Sequence, residues 1–142
     1  MMPPEVFLDT AFALALANPN VLLHGRATLL ADQIEATRTR LITTHAVLLE
    51  IGNALAKPRY RAASVQLLTA LETDPNVEIV SLTDDLYDRA FQLYRTRPDK
   101  EWGLTDCISF VVMRDRVLTA ALTPDRHFQQ AGYRALLGEE TT

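Results

Sequence analysis

Two kinds of apolar spacing alternate along the chain. Short runs that are almost wholly apolar or β-branched, such as EVFLD and VEIVSL, have the length and composition of buried strands. Between them lie longer segments whose apolar residues recur every three or four positions, as in helices that bury one face. The pattern predicts strands at 5–9, 41–44, 77–82 and 118–122, and helices at 10–17, 21–38, 45–57, 62–72, 83–97, from 105 onward, and at 123–131.

The order of these elements predicts the fold class. Strands that are separated by helices are typical of a parallel sheet with helices on both faces. We therefore expect an α/β three-layer sandwich with a central parallel sheet of about four or five short strands. Because no repeat or low-complexity linker divides the chain, residues 1–142 are expected to form a single domain.

Composition limits where the protein can be located and which ligands its surface can bind. Apolar residues make up 48% of the 142 positions, and no apolar run approaches the roughly 18 residues that span a bilayer, so we expect neither membrane insertion nor secretion. The single cysteine, Cys107, cannot form an internal disulfide, and we expect it in the core of a cytoplasmic protein. The net charge of -4 excludes a general basic surface for nucleic acid, although twelve of the fourteen basic residues are arginines, which suit phosphate.

Three aspartates occupy the ends of predicted elements. Asp9 ends the first strand, and Asp125 follows the strand at 118–122 closely. Ligands of parallel α/β sheets bind beyond the carboxyl ends of the strands, where both aspartates are expected. Asp106 opens the apolar helix of GLTDCISFVVM, where Thr105 or Asp106 could simply cap the helix.

A fourth acid lies within a helix. In HAVLLEIGNALAK, Glu50 shares a face with Val47, Ile51 and Ala54, and we expect that face to be buried. A carboxylate that faces a core loses hydration worth several kcal/mol unless it is paired or binds a metal. Two alternatives remain open for Glu50, namely an outward orientation and a pair with an arginine.

If the four acids converge, their repulsion opposes folding unless a cation lies between them. Carboxylate ligands favour Mg²⁺ or Mn²⁺, whereas zinc would recruit histidine or cysteine. The three histidines lack the spacing of a metal-binding pair, and we expect each at the surface or in packing: His24, His45 and His127.

Four segments of the chain carry a resemblance to a known family. FLDTAFALAL, LLEIGNAL, KEWGLTDCISFVVM and ALTPDRHFQQAGY contain the four acids, and TDCISF and TPDRHF are the most specific of these motifs. Over nearly its whole length the chain resembles the PIN-domain ribonucleases, and most closely the VapC toxins of VapBC toxin-antitoxin modules. The resemblance implies a PIN-like sandwich, a Mg²⁺ or Mn²⁺ pocket and cleavage of RNA.

By motif match, the resemblance assigns the catalytic and metal-binding pocket to four acids, Asp9, Glu50, Asp106 and Asp125. Such a pocket would hydrolyse a phosphodiester by in-line attack of a water that the metal activates. We expect Asp9 and Asp106 to contact metal directly and Asp125 to complete the shell. Glu50 would bind a second ion or orient the water, and the number of ions is open.

Residues beside the four acids have expected supporting roles. A hydroxyl of Thr10 or Thr123 could hold a carboxylate or a metal-bound water, or could cap a helix. Arg126, Arg59 and Arg61 are candidates for holding RNA phosphates beside the acidic mouth.

The resemblance also implies partners, namely a separately encoded antitoxin and a second copy in a homodimer. The alternative function is a catalytically inactive PIN-fold module that captures an antitoxin-like helix or RNA without cleaving it. A haloacid-dehalogenase-type phosphotransfer domain fits poorly, because Asp9-Thr10-Ala11 lacks a second aspartate two residues later.

Overall fold

The computed structural model describes residues 2–139. Strands and helices alternate as the apolar pattern predicts, and a short 3-10 helix, Leu136–Gly138, follows the last strand. The strands are β1 (Glu5–Leu8), β2 (Arg40–Thr44), β3 (Val77–Val80), β4 (Ala120–Leu122) and β5 (Arg134–Ala135). The helices are α1 (Thr10–Ala17), α2 (His24–Thr37), α3 (His45–Ala54), α4 (Pro58–Thr73), α5 (Asp84–Thr96), α6 (Leu104–Asp115) and α7 (Arg126–Gln130).

The strands form one five-stranded sheet in the order β3-β2-β1-β4-β5, and every neighbouring pair is parallel. Phe7 at the centre of the sheet is in register with Ile42 of β2 and with Ala121 of β4. This topology confirms the predicted α/β fold class. Because all the strands point the same way, their carboxyl ends meet at one edge of the sheet.

Alternate residues of β1 supply two apolar cores, one on each face of the sheet. Phe7 packs in a core that α3, α5 and α6 cover, whereas Val6 and Leu8 pack in a second core under α1 and α2. The three layers of the predicted sandwich follow from this period-2 alternation. Cys107 is buried in the first core as expected. Among the described residues, each helix is too short or too polar to cross a bilayer.

Three helices begin three or more residues away from their predicted starts. Helix α2 begins at His24 rather than at 21, after a turned segment that follows Pro19. Helix α4 begins at Pro58 rather than at 62, since proline is favoured in the first turn of a helix, where its missing N–H is not needed. Helix α7 begins only at Arg126, because Asp125 caps it with its side chain.

Candidate active site

Asp9, Asp106 and Asp125 all lie at the carboxyl-end edge of the sheet. Asp9 follows β1 directly and occupies the N-cap position of α1, and Asp125 follows β4 and is the N-cap of α7. Asp106 lies in the first turn of α6, where its Oδ2 accepts a hydrogen bond of 3.1 Å from the backbone N–H of Gly103. Asp106 and Asp125 therefore have a local reason for their positions, because each carboxylate accepts a backbone N–H at the start of a helix and suits the helix dipole. Asp9 occupies an N-cap position without a side-chain capping bond.

Thr123 connects two of these acids. Its Oγ1 donates a hydrogen bond of 2.9 Å to Asp9 Oδ2 and accepts one of 3.2 Å from the backbone N–H of Asp125. Thr123 is fully buried, and Asp9 retains only 9% of its exposure. These two hydrogen bonds fix the positions of Asp9 and Asp125 relative to each other, although 116 positions separate the two residues in the sequence.

His127 connects Asp125 to Asp106. Its Nδ1 lies 3.1 Å from Asp106 Oδ2 and 3.4 Å from Asp125 Oδ2, and its backbone N–H donates a 2.8 Å bond to Asp125 Oδ1. One ligand atom from each of the three residues lies within 4.8 Å of the others. Two carboxylates and an imidazole at this spacing could hold a divalent metal ion.

His127 belongs to the site although the sequence interpretation left it at the surface or in packing. That interpretation looked for two histidines at helical spacing and not for one histidine beside an acid. The signal in the sequence was the order Asp125-Arg126-His127 shortly after a predicted strand, which places a histidine two residues from an edge acid. A side-chain cap turns the chain there, and the turn brings His127 back over Asp125.

Glu50 lies at the rim of the site and is exposed, so the expectation that it faces the core is wrong. Val47 and Ile51 fill the apolar face of α3, and both are fully buried. Glu50 emerges at the flank of that face, where its Oε1 accepts a 2.9 Å hydrogen bond from Thr10 Oγ1. Because Thr10 is the neighbour of Asp9 in the chain, this bond places Glu50 beside the buried acid.

The electrostatics of the site are concentrated on Asp9. The pKa of its carboxyl is raised from 3.8 to about 6. Burial is the largest cause and the negative charges of Asp106 and Glu50 add to it, while hydrogen bonds from Thr123 and from the backbone of Thr10 act in the opposite direction. The net direction shows that the site disfavours a negative charge on Asp9 in the absence of a cation. A divalent ion would reverse that preference.

The three arginine candidates are exposed. Arg59 and Arg61 lie in the first turn of α4, where Arg59 stands 4.8 Å over the ring of Tyr60 and Arg61 Nη2 donates to the carbonyl of Ala56. Arg126 begins α7 beside Asp125. Trp102, which could have stacked on a base, instead packs edge-on against Phe110 with ring centroids 5.0 Å apart.

Comparison with known proteins agrees with this fold. The family described as PIN domain matches residues 6–132, a range that contains all four acids. The chain belongs to the PIN-domain family, and within it the chain is of the VapC type. It is 31% identical over 130 residues to the 23S rRNA-specific endonuclease VapC20 of Mycobacterium tuberculosis, covering 90% of this chain and 95% of VapC20.

Two solved structures are similar along nearly the whole chain. The crystal structure of M. tuberculosis VapC20, described as a sarcin-ricin loop cleaving toxin, superposes with a TM-score of 0.78 at 27% identity, covering 90% of this chain and 95% of that one. VapBC2 from Rickettsia felis, bound to a DNA fragment from its promoter, gives a TM-score of 0.68 at 12% identity, covering 92% and 96%. The second likeness concerns the fold alone.

Proposed function

We propose that this chain is a metal-dependent endoribonuclease and the toxin of a toxin-antitoxin pair. The observation that carries the proposal is the unbroken set of contacts that joins the four acids at one edge of the sheet. Thr123 links Asp9 to Asp125, His127 links Asp125 to Asp106, and a second threonine holds Glu50 at the rim. Acids scattered over the sequence are joined where α/β sheets bind their ligands.

The residues of the site fit a divalent cation, and carboxylates outnumber the single imidazole among them. Mg²⁺ or Mn²⁺ would be held by Asp106 and Asp125 together with Asp9, and His127 adds a nitrogen donor within reach. The raised pKa of Asp9 supports this fit, because a buried carboxylate beside other acids gains from a nearby positive charge. When bound, such an ion lowers the pKa of water and stabilises charge on a phosphate.

Different side chains would then have different roles in an in-line displacement at phosphorus. Thr123 keeps Asp9 and Asp125 in fixed positions. Glu50, exposed and hydrogen-bonded by Thr10, would orient the attacking water or bind a second ion. Arg126, Arg59 and Arg61 would offset the repulsion between the acidic mouth and RNA phosphates.

The first substrate to test is 23S rRNA, since VapC20 is named for its cleavage. Ribosomes and total cellular RNA are incubated with purified protein in Mg²⁺ or Mn²⁺, and new 5′ ends are mapped. We expect discrete ends with the wild type, none after chelation by EDTA, and a loss of at least about a thousandfold in rate for Asp106→Asn. Asp88→Asn removes an equal charge from exposed α5 and is the matched control, which should cleave normally.

Full cleavage by a folded Asp106→Asn variant would exclude this site. Clean folding with no cleavage of any RNA, accompanied by tight capture of a small partner protein, would instead support the inactive binding module. The two results are separable because the first retains the product ends and the second yields none.

We also propose an antitoxin and a second copy of the chain as protein partners. Phe12 and Leu16 of α1 line a groove of about 550 Å³ with Ile34 and Leu41, and its apolar lining suits the apolar face of a partner helix. Sedimentation of the purified protein, alone and with the product of an adjacent gene, tests both partners. The cytoplasm remains the proposed compartment, because ribosomal RNA is the substrate for which VapC20 is named.

A further inference from the structure

We infer that the connection between α5 and α6 is a subsite that binds single-stranded RNA next to the cleaved bond, an inference that rests on the proposed function. A groove of about 540 Å³ runs along this connection, lined by residues between positions 94 and 103. Its lining combines cations with an exposed aromatic ring, the two features that single-stranded nucleic acid requires.

One end of the groove adjoins the acidic site. Gly103 lines the groove and donates its backbone N–H to Asp106 Oδ2 at 3.1 Å. Lys100, also in the lining, precedes Gly103 by three residues, which span at most about 10 Å of chain. A strand whose phosphate reached Asp106 would therefore place its neighbouring nucleotides along this groove.

The charge of the groove is opposite to that of the protein as a whole. Arg95, Arg97 and Lys100 line it against one acid, Glu101, in a chain whose net charge is -4. Arg95 is exposed, and within residues 2–139 its side chain bonds only to the neutral Gln92. That cation therefore has no described carboxylate to compete with a phosphate.

The remaining two cations share one acid. Arg97 donates to both oxygens of Asp99 at 3.0 and 3.1 Å, and Lys100 Nζ lies 3.9 Å from Asp99 Oδ2. Arg97 also lies 5.1 Å over the ring of buried Trp102, which fixes the guanidinium as part of the groove wall. Lys100 is thus only loosely paired, and its ammonium is available to a second phosphate.

Tyr94 supplies the aromatic surface. It lines the groove and is 47% exposed, whereas the ring of Trp102 is 6% exposed and already covered. A half-exposed tyrosine in a groove lined by cations can stack on a base while the cations hold the flanking phosphates. No strand-borne RNA motif is needed for this mode of binding.

A second copy of the chain is the competing occupant of this face. Tyr94 continues an exposed stripe with Tyr87 and Phe91, whose neighbouring ring centroids lie 6.4 and 6.5 Å apart. Aromatic stripes also occur in protein interfaces. The groove end favours RNA because three cations line it and because it meets the acidic site.

The charge argument is tested on full-length Asp106→Asn protein, which we expect to bind RNA without cleaving it. The ligand is a short fluorescein-labelled single-stranded RNA of mixed sequence. Anisotropy gives Kd as a function of salt. Adding Arg95→Gln and Lys100→Gln should weaken binding about tenfold at 0.1 M salt and lower the salt slope by about 1.4, since each lost contact to a single strand contributes about 0.7. Arg38→Gln with Arg40→Gln is the control, because it removes equal charge from the end of α2 and the start of β2. These positions lie at the amino-end edge of the sheet, opposite the edge that carries the acids.

The stacking argument is tested in the same background with Tyr94→Ala and Tyr94→Phe. The alanine variant should bind RNA about tenfold more weakly, and the phenylalanine variant should bind as the parent does, because it keeps the ring. Sedimentation is measured on each variant. A shift of Tyr94→Ala to a smaller species with unchanged RNA affinity would assign the stripe to a protein contact and overturn the subsite.

The possible failures can be told apart. If the parent binds RNA and the groove variants match the Arg38 and Arg40 control, the subsite is wrong and the proposed nuclease survives. If wild-type protein cleaves nothing and the parent binds no RNA, both inferences are overturned.

Discussion

The candidate site contains two threonine-carboxylate pairs of equal length in opposite surroundings. Thr123 Oγ1 donates to Asp9 and Thr10 Oγ1 donates to Glu50, each at 2.9 Å. The first pair is buried, whereas Glu50 in the second is exposed to water. Hydrogen-bond length is thus the same, and burial is the main reason why the charge of Asp9 is energetically costly.

The contrast also separates two roles within one site. The hydroxyl of Thr123 both donates to Asp9 and accepts from the backbone of Asp125, so these two bonds fix its orientation. Thr10 has one described side-chain bond, to a carboxylate that water can also solvate. We therefore divide the site into a buried half, Thr123 with Asp9 and Asp125, and an open half, Thr10 with Glu50. We expect the buried half to set the position and charge of the site, and the open half to contact the substrate.

The largest expected effect concerns the buried half of the site and is a pH-dependent loss of stability in the metal-free protein. The folded-state pKa of Asp9 is raised from 3.8 to about 6, so the folded state binds more protons than the unfolded state between those values. Stability from this group is therefore lost as pH rises from about 4 to about 6, by roughly 3 kcal/mol in total. Asp9→Asn should remove the loss, which urea unfolding at several pH values measures.

The difference in the free energy of unfolding between the wild type and Asp9→Asn reports on the Asp9 carboxyl alone. Acids with lowered pKa values, such as Glu78, contribute equally to both proteins and cancel. The difference should be constant below about pH 4, grow to about pH 6 and then level off. Asp88→Asn should show no such growth. A difference independent of pH would mean that Asp9 is not the buried charge of the site.

The second effect is stabilisation by metal. Mn²⁺ at a hundred times its Kd should raise the free energy of unfolding by about 2.7 kcal/mol. The gain should be smaller at pH 5 than at pH 8, since below about 6 a proton on Asp9 competes with the ion. Melting curves with and without Mn²⁺ measure the gain, which Asp106→Asn should reduce. An equal gain in that variant would place the ion elsewhere.

The third effect compares the two threonines. Thr123→Val leaves both Asp9 Oδ2 and the Asp125 N–H without this partner in a buried setting, and we expect a loss of about 1–3 kcal/mol. Thr10→Val breaks a bond to an exposed carboxylate and should cost under about 1 kcal/mol. Urea unfolding of both variants measures the losses. Equal losses would remove the distinction between the two halves.

Sequence reasoning reached the fold because the fold depends on regular patterns. The alternation of Val6, Phe7 and Leu8 across β1 needs only a period of two, and four of the five strands follow from such runs. β5 was not located, because two residues, Arg134 and Ala135, are too few for a pattern to form.

The site was reached less completely, because its geometry depends on tertiary contacts. The four acids were identified from the motif resemblance. The prediction that Glu50 is buried was wrong, because the spacing of apolar residues along a helix does not show how wide its buried face is. His127 was missed because its contact with Asp106 joins residues 21 positions apart. No local pattern records such a contact.

The smallest expected stability effect belongs to the open half of the site. Glu50→Gln keeps an oxygen that can accept the bond from Thr10 and removes one of the negative charges that raise the pKa of Asp9. Since Glu50 is exposed, we expect a gain within about 0.5 kcal/mol in metal-free protein at pH 8. Glu72→Gln, on exposed α4, is the matched control for urea unfolding and should show no gain. A clear loss in Glu50→Gln would instead make its bond with Thr10 a structural one, and the open half would then share the task of holding the site together.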